Sequence, residues 1–210
     1  MKVAQKRPYQ SPIRQARADK TQMLIVNAAR KLFLAQGYAE TTLDAIAAEA
    51  GVATPTLYAT FGSKKGILSA ILHRAKFGAA YQEIVRQAKE VADPIERVRL
   101  IAKTTRQIYQ SEQTEAGLLQ SAGLLVPELM TLAQGSENRR FETQTMNAQM
   151  LAKSGALLRG VSESKARDVL WALTSRELYT SLVGDRSWHP DDYERWLANL
   201  LIASLLKNRI

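Results

Sequence analysis

The chain has 210 residues, 46% of them hydrophobic, which is enough to core one domain or a small and a medium one. It has no cysteine, which excludes disulfides, thiol catalysis and thiolate metal sites and fits a reducing cytoplasm. The formal charge is +9 and uneven: residues 1–65 carry ten Lys/Arg against four acids, and the rest nineteen against sixteen. A basic first third suggests a polyanionic partner, and a solubilising surface is the plainer alternative. No apolar run reaches the ~18 residues that span a bilayer. The basic N-terminus lacks the apolar stretch of a secretory signal.

Residues 1–18, with Pro8, Pro12 and no helical period, are expected to form a flexible basic arm. Asp19 with Gln22 supplies the start of a helix through Ile25, Ala28, Ala29, Leu32 and Phe33, and Gly37 ends it. "TTLDAIAAEAG" predicts a second helix, capped by Thr41 or Thr42, with Asp44 in its first turn and a stop at Gly51. A very short third helix runs from Thr54 to Thr60. A fourth starts at Ser63 and continues through Ile67, Leu68, Ile71 and Leu72 towards Lys89. Asp93-Pro94, Val126-Pro127 and His189-Pro190 are three further start signals with proline in the first turn. Alternating β-branched stretches and Asn-Gly or Asp-Gly hairpin turns are absent from the sequence. The expected fold is all-α with about nine helices. The expected division is a 1–18 arm, a helical domain over 19–65 and a second helical domain over 66–210.

The stretch "GVATPTLYATFGSKKGIL" (51–68) is too polar for a core and too aromatic for a plain loop. Ala47 is small enough to let a second helix cross closely, and Gly51 permits the tight turn between the two. The third helix then offers Thr54, Thr56, Tyr58 and Thr60 outward, with Leu57 and Phe61 inward. Lys64 and Lys65 oppose the dipole at the start of the fourth helix, which a nearby phosphate would explain.

Those same residues, "LFLAQGYAETTLDAIAAEAGV" followed by "TLYATFGSK", resemble the DNA-binding domain of the tetracycline-repressor (TetR-type) transcription regulators, over about Arg30 to Leu72. One departure is Lys65, where the family usually has an acid. The resemblance implies that Thr42 caps the second helix against the DNA backbone and that Thr54 faces base edges. It implies that Pro55 touches a thymine methyl, that Thr56 and Tyr58 hold phosphates, and that Thr60 sits near the groove wall. Lys64 would reach a phosphate, with Lys65 adding positive charge. Residues 1–20 hold six bases and one acid, and the arm is expected to follow the DNA backbone or enter the minor groove.

The C-terminal part resembles the family's sensing half only from about Asp168 to Leu201. Here Val169, Leu170 and Leu173 form one face of a helix read as continuous to Leu182, and Trp171, Leu178 and Leu182 another. From His189 on, Tyr193, Trp196, Leu197, Leu200, Leu201 and Leu205 form one apolar stripe. The resemblance implies a homodimer through these two helices, with Val169, Leu173, Trp196, Leu197, Leu200 and Leu201 at the interface. It also implies a small-molecule effector site. The candidates to line it are Phe77, Tyr81, Tyr109, Leu119, Met146, Met150, Trp171 and Tyr179, although aromatic and Met side chains at helical spacing also serve as plain core. Arg106, Gln120 and Arg176 are candidate polar anchors.

An enzyme is not expected. The two histidines, His73 and His189, are far apart, and no His-Glu-x-x-His, Gly-x-Ser-x-Gly or P-loop pattern occurs. No metal or cofactor is expected. The expected function is a cytoplasmic transcriptional regulator, a repressor released from a palindromic operator by its effector. The alternative is a ligand-independent architectural DNA binder. A membrane-surface module fits poorly, because the third helix has no apolar face to insert.

Overall fold

The computed structural model describes residues 12–121 and 137–207. Ten α-helices and no strand lie within them: α1 Pro12–Gln36, α2 Leu43–Ala50, α3 Thr54–Phe61, α4 Lys64–Phe77, α5 Ala79–Glu90, α6 Pro94–Ser121, α7 Glu137–Lys153, α8 Glu163–Leu173, α9 Arg176–Tyr179 and α10 Pro190–Leu205. The all-α expectation holds. The start signal at Val126-Pro127 and residues 1–11 of the expected arm lie outside the described residues.

Three expected boundaries move. Helix α1 begins at Pro12, so residues 12–18 are helical and Asp19 lies inside the helix, where it accepts a 2.9 Å bond from Gln15. Proline suits a first turn, whose N–H groups have no helical partner, and the Arg, Gln, Ala and Lys residues that follow favour helix. The fourth helix stops at Phe77. Gly78 turns extended (φ −73°, ψ −161°) before α5, and a Cβ there would come within 2.7 Å of the Arg74 carbonyl oxygen. The penultimate helix is broken between α8 and α9.

The described residues fall into two compact units, 12–71 with 118–121, and 72–117 with 137–207. The division falls inside α4. In the first unit α1 packs on α2 and α2 on α3. Ile25, Val26, Ala29, Phe33, Ile46, Ala47, Leu57, Ile67, Leu68 and Ile71 are buried there. In the second unit Val98, Ile101 and Ala102 of α6 join Ala148 and Leu151 of α7, Ala166 and Leu170 of α8, and Tyr193, Leu197 and Leu201 of α10 in one core. A Lys76–Glu112–Arg176 ion chain crosses this unit. Glu112 receives Lys76 on one oxygen and Arg176 on the other, each at 2.6 Å. Lys76 and Glu112 are both buried, so neither charge is left alone in the interior.

The break at Thr174–Ser175 contains neither proline nor glycine. In a continuous helix the Thr174 carbonyl would accept from the Leu178 N–H. Here the Tyr109 hydroxyl donates to that carbonyl (3.0 Å), and the Leu178 N–H donates to Ser175 Oγ (3.2 Å). Gln144 donates to Thr174 Oγ1, which in turn donates to the Leu170 carbonyl. The Tyr109 side chain on α6 and Ser175 thus replace the lost helical bond, while Gln144 on α7 holds the Thr174 hydroxyl. After α9 the chain widens into a π-helical turn, Thr180–Asp185.

Tyr109, Tyr179 and Tyr193 pack ring against ring in sequence, tilted and then edge to face, with centroids 5.6 and 5.0 Å apart. Burial pushes all three phenols up, Tyr109 to about 12. The hydroxyls of Tyr179 and Tyr193 have no protein partner among the described residues. Tyr109→Phe is therefore expected to lower stability by about 1–3 kcal/mol, because it orphans a buried carbonyl. Tyr193→Phe should cost less or nothing. Chemical denaturation of the two variants measures the contrast. For Tyr109 the folded value lies above the ordinary phenol value of about 10. Its contribution is whole below about pH 10 and should be lost as pH rises towards about 12.

Candidate nucleic-acid interface

Helix α2 starts at Thr42, whose Oγ1 accepts from the Ala45 N–H at 3.1 Å. Thr41 is instead buried, and its hydroxyl donates to the Gly37 carbonyl at 2.7 Å. Of the two candidate caps, Thr42 is the cap and Thr41 ties the preceding turn. Gly51 ends α2 in the left-handed region (φ 66°, ψ 34°), where a side chain would be strained. Its N–H and that of Val52 close back onto Ala48 and Ala47. The turn delivers the chain into α3 with Leu57 fully buried. This is a helix-turn-helix by geometry as well as by pattern.

The face of α3 away from Leu57 exposes Pro55, Thr56, Tyr58 and Ala59. Tyr58 is 52% exposed, so its ring edge and hydroxyl are open to a partner. Thr60 is half-buried and its hydroxyl donates to the Thr56 carbonyl, which makes it a local brace. Phe61, expected inward, is only half-buried. Thr54 is also half-buried, and its hydroxyl donates to Asp44 Oδ1 at 2.9 Å. A carboxylate can only accept, so this bond fixes Thr54 Oγ1 as an acceptor towards anything else. From the sequence Asp44 reads only as a first-turn acid. The signal for its second role is an acid in the first turn of α2 facing a hydroxyl at the start of α3 across a tight turn.

The two lysines of α4 differ. Lys65 is exposed and has no ion pair among the described residues. The Lys64 ammonium donates to the carbonyls of Tyr38, Ala39 and Thr41 at 2.7, 3.2 and 2.9 Å, and it lies 4.5 Å from the centre of the Tyr38 ring. Its expected phosphate contact is not what these bonds describe. The aromatic residue just after Gly37 is the available signal.

The expected effector residues stand in different surroundings. Tyr109 and Tyr179 are core, and Leu119 is buried and belongs to the first unit. Phe77 and Tyr81 are half-buried and meet edge to face at 4.9 Å. Met146, Met150 and Trp171 are exposed, Met146 by 56%. Arg97 donates to the Met150 sulfur, and the Arg140 guanidinium covers the Trp171 ring at 4.8 Å. An open groove of about 530 Å³ runs past Glu137, Phe141, Asp168 and Trp171. Arg106 is held by Glu194 and Asp191, and Arg176 by Glu112, so neither is a free anchor.

The expected dimer stripe splits. Leu197 and Leu201 are fully buried in their own core, and Val169, Leu173 and Trp196 are half-buried against it. Leu200 is half-buried and stands outside that cluster. The cause is the 100° step per residue: a stripe broad enough to hold 196, 197, 200 and 201 covers more of the helix than one contact can bury.

Residues 25–71 match the family described as bacterial regulatory proteins, tetR family. Over 74 residues the chain is 43% identical to the HTH-type transcriptional regulator HbdR of Aromatoleum sp. (strain CIB), 35% of this chain and 32% of that protein. The match thus spans about a third of the length of that curated relative. Two solved structures share the fold across most of the chain. NalD, the secondary repressor of the MexAB-OprM multidrug efflux pump in Pseudomonas aeruginosa, is 22% identical with a TM-score of 0.60, covering 92% of this chain and 100% of that one. A transcriptional regulator from Saccharomonospora viridis in complex with choline is 22% identical with a TM-score of 0.58, covering 90% and 100%.

The Thr42 cap has a direct test. Thr42→Ala should lower stability by about 1 kcal/mol, and Thr42→Ser should leave it nearly unchanged, since serine caps as well as threonine. Thermal or urea unfolding of the two variants separates a capping hydroxyl from a merely exposed one.

Proposed function

We propose that this chain, which belongs to the tetR family of bacterial regulatory proteins through its residues 25–71, is a cytoplasmic transcriptional repressor that binds operator DNA as a homodimer and is released by a small-molecule effector. One observation carries the reading: a glycine-turned pair of helices presents Pro55, Thr56 and a half-exposed Tyr58, close in sequence to the exposed Lys65, in the most basic part of the chain. The hydroxyls of Thr56 and Tyr58 suit phosphate oxygens, and Pro55 suits a thymine methyl. Thr42 stands at the start of α2, where an exposed hydroxyl also meets the backbone. Thr54, held as an acceptor by Asp44, would pair with a base amino group, cytosine N4 or adenine N6, rather than with guanine N7 or O6. Arg14, Arg17 and Lys20, exposed on α1, add to the positive charge.

The effector half rests on fold likeness to regulators such as the choline complex, together with the half-buried Phe77–Tyr81 pair. The second copy would cover Leu200 and the margin of Trp196, which meets the exposed Trp188 edge to face at 5.7 Å.

Selection of binding sites from random DNA tests the reading. The wild-type chain should enrich a pseudo-palindrome and bind it less tightly as salt rises. Asp44→Asn should shift the preferred base at one position in each half-site, because an amide can donate to Thr54 and free its proton for a guanine or thymine acceptor. An unchanged base ranking would remove Thr54 from base readout. Weak, sequence-tolerant enrichment would favour an architectural binder. Small molecules that raise the melting temperature should also weaken operator binding.

The assembly is tested separately. Leu200→Arg should yield folded monomers by light scattering, whereas Leu201→Arg should unfold the chain, because it drives a charge into a sealed core. Dimers that survive Leu200→Arg unchanged would move the interface elsewhere.

A further inference from the structure

The two lysines that open α4 are adjacent in sequence yet differently engaged. The Lys64 ammonium has three protons, and three carbonyl oxygens lie at hydrogen-bond distance from it. The Tyr38 ring lies against the same cation. These carbonyls belong to the turn between α1 and α2, beyond the end of a helix whose dipole is negative there. No proton remains for a phosphate unless one of these bonds breaks.

We propose that Lys64 is a positioning residue of the DNA-reading head, one that acts by clamping the α1–α2 turn, and that Lys65 makes the phosphate contact at this corner. The proposal rests on the DNA-binding reading of α2 and α3. The chain of position is short. Lys64 holds the Thr41 carbonyl, and Thr41 is buried with its hydroxyl on Gly37. The next residue, Thr42, is the cap that starts α2. Helix α2 leads through Gly51 into α3, whose first residue is bonded back to Asp44 of α2. Loosening the clamp would therefore tilt α2 and the exposed face of α3 together. The clamp also accounts for a lysine where the helix dipole disfavours it, since the carbonyls of the turn offset the repulsion. Lys65 has no such compensation among the described residues and faces solvent.

The test is equilibrium binding of the full chain to the duplex selected on the wild type, over a range of salt, far below the melting temperature of every variant. Lys65→Met should reduce the log–log salt slope by about 0.9 per site, the counterion release of one phosphate contact. Lys64→Met should weaken binding several-fold with the slope unchanged. Lys64→Arg should fail to rescue it, because a planar guanidinium does not reproduce an ammonium tripod, whereas a phosphate accepts arginine readily. A Lys64→Met slope that falls as for Lys65→Met, with Lys64→Arg active, would make Lys64 a phosphate contact and overturn the proposal. A lower melting temperature with affinity unchanged at every salt would overturn it too, leaving a clamp of purely structural value. Should Lys64→Met not fold, the lysine Nζ resonances of the wild type decide. Added DNA should move Lys65 and leave Lys64 in place, and the reverse overturns the proposal. A wild-type chain that enriches no duplex at all would instead sink the DNA-binding reading beneath it.

Discussion

A helix that ends inside a folded chain leaves carbonyls and N–H groups with no helical partner, and each one left dry and unpaired costs about 1–3 kcal/mol. An all-α chain with many short connections meets this constraint repeatedly, and the side chains that satisfy it shape the molecule. Thr42, Asp93, Ser162, Ser175 and His189 each accept a first-turn N–H from a side-chain atom. The α1–α2 turn takes a lysine ammonium on three of its carbonyls. The break in the penultimate helix takes a tyrosine hydroxyl. The geometry that would face DNA and the geometry of the last helices thus both depend on side-chain atoms that satisfy main-chain groups, more than on apolar packing alone.

This explains which parts of the fold are legible in the sequence. Local signals read well. Gly37 lies in the left-handed region expected of it, Gly51 ends α2, Pro94 and Pro190 open their helices, and Leu57 is buried at the turn. Each of those is decided within a few residues by backbone sterics or capping. Signals that depend on distant partners do not read. Nothing in "WALTSRELY" interrupts a helix. The break exists because Tyr109 and Ser175 stand ready to take the groups it frees, and Tyr109 is 65 residues away from the carbonyl it serves. Gly78 is legible in principle but sits among helix-favouring neighbours, so the periodicity runs through it.

The candidate site divides along the same line. Exposure of Pro55, Thr56 and Tyr58 follows from the period of α3 once Leu57 is fixed inward, and the sequence carries that period. The state of each polar atom does not follow from period. Thr54 and Lys64 open their helices as expected, yet their protons are engaged by Asp44 and by the turn carbonyls. The apolar stripe of α10 shows the same limit for packing. Its existence is plain in the sequence, but Leu197 and Leu201 point into the core while Leu200 stands outside it, a distinction of one helical step.

The chemistry of the exposed face sets a further constraint on the proposed regulator. Pro55, Thr56, Tyr58 and Ala59 include no arginine, asparagine or glutamine, the side chains that grip a base by two bonds and discriminate by about 1–3 kcal/mol each. A single head built this way gains most of its affinity from phosphates, which are the same in every sequence. Discrimination must then come from summing weak contacts over two heads, from the deformability of the DNA between them, or from both. In the first case the spacing of the two heads carries as much information as any side chain, because a pair of weak readers out of register loses one half of the sum. A chain whose reading face is chemically modest therefore gains most from control over that spacing, and the control has to come from the half of the molecule that would make the dimer.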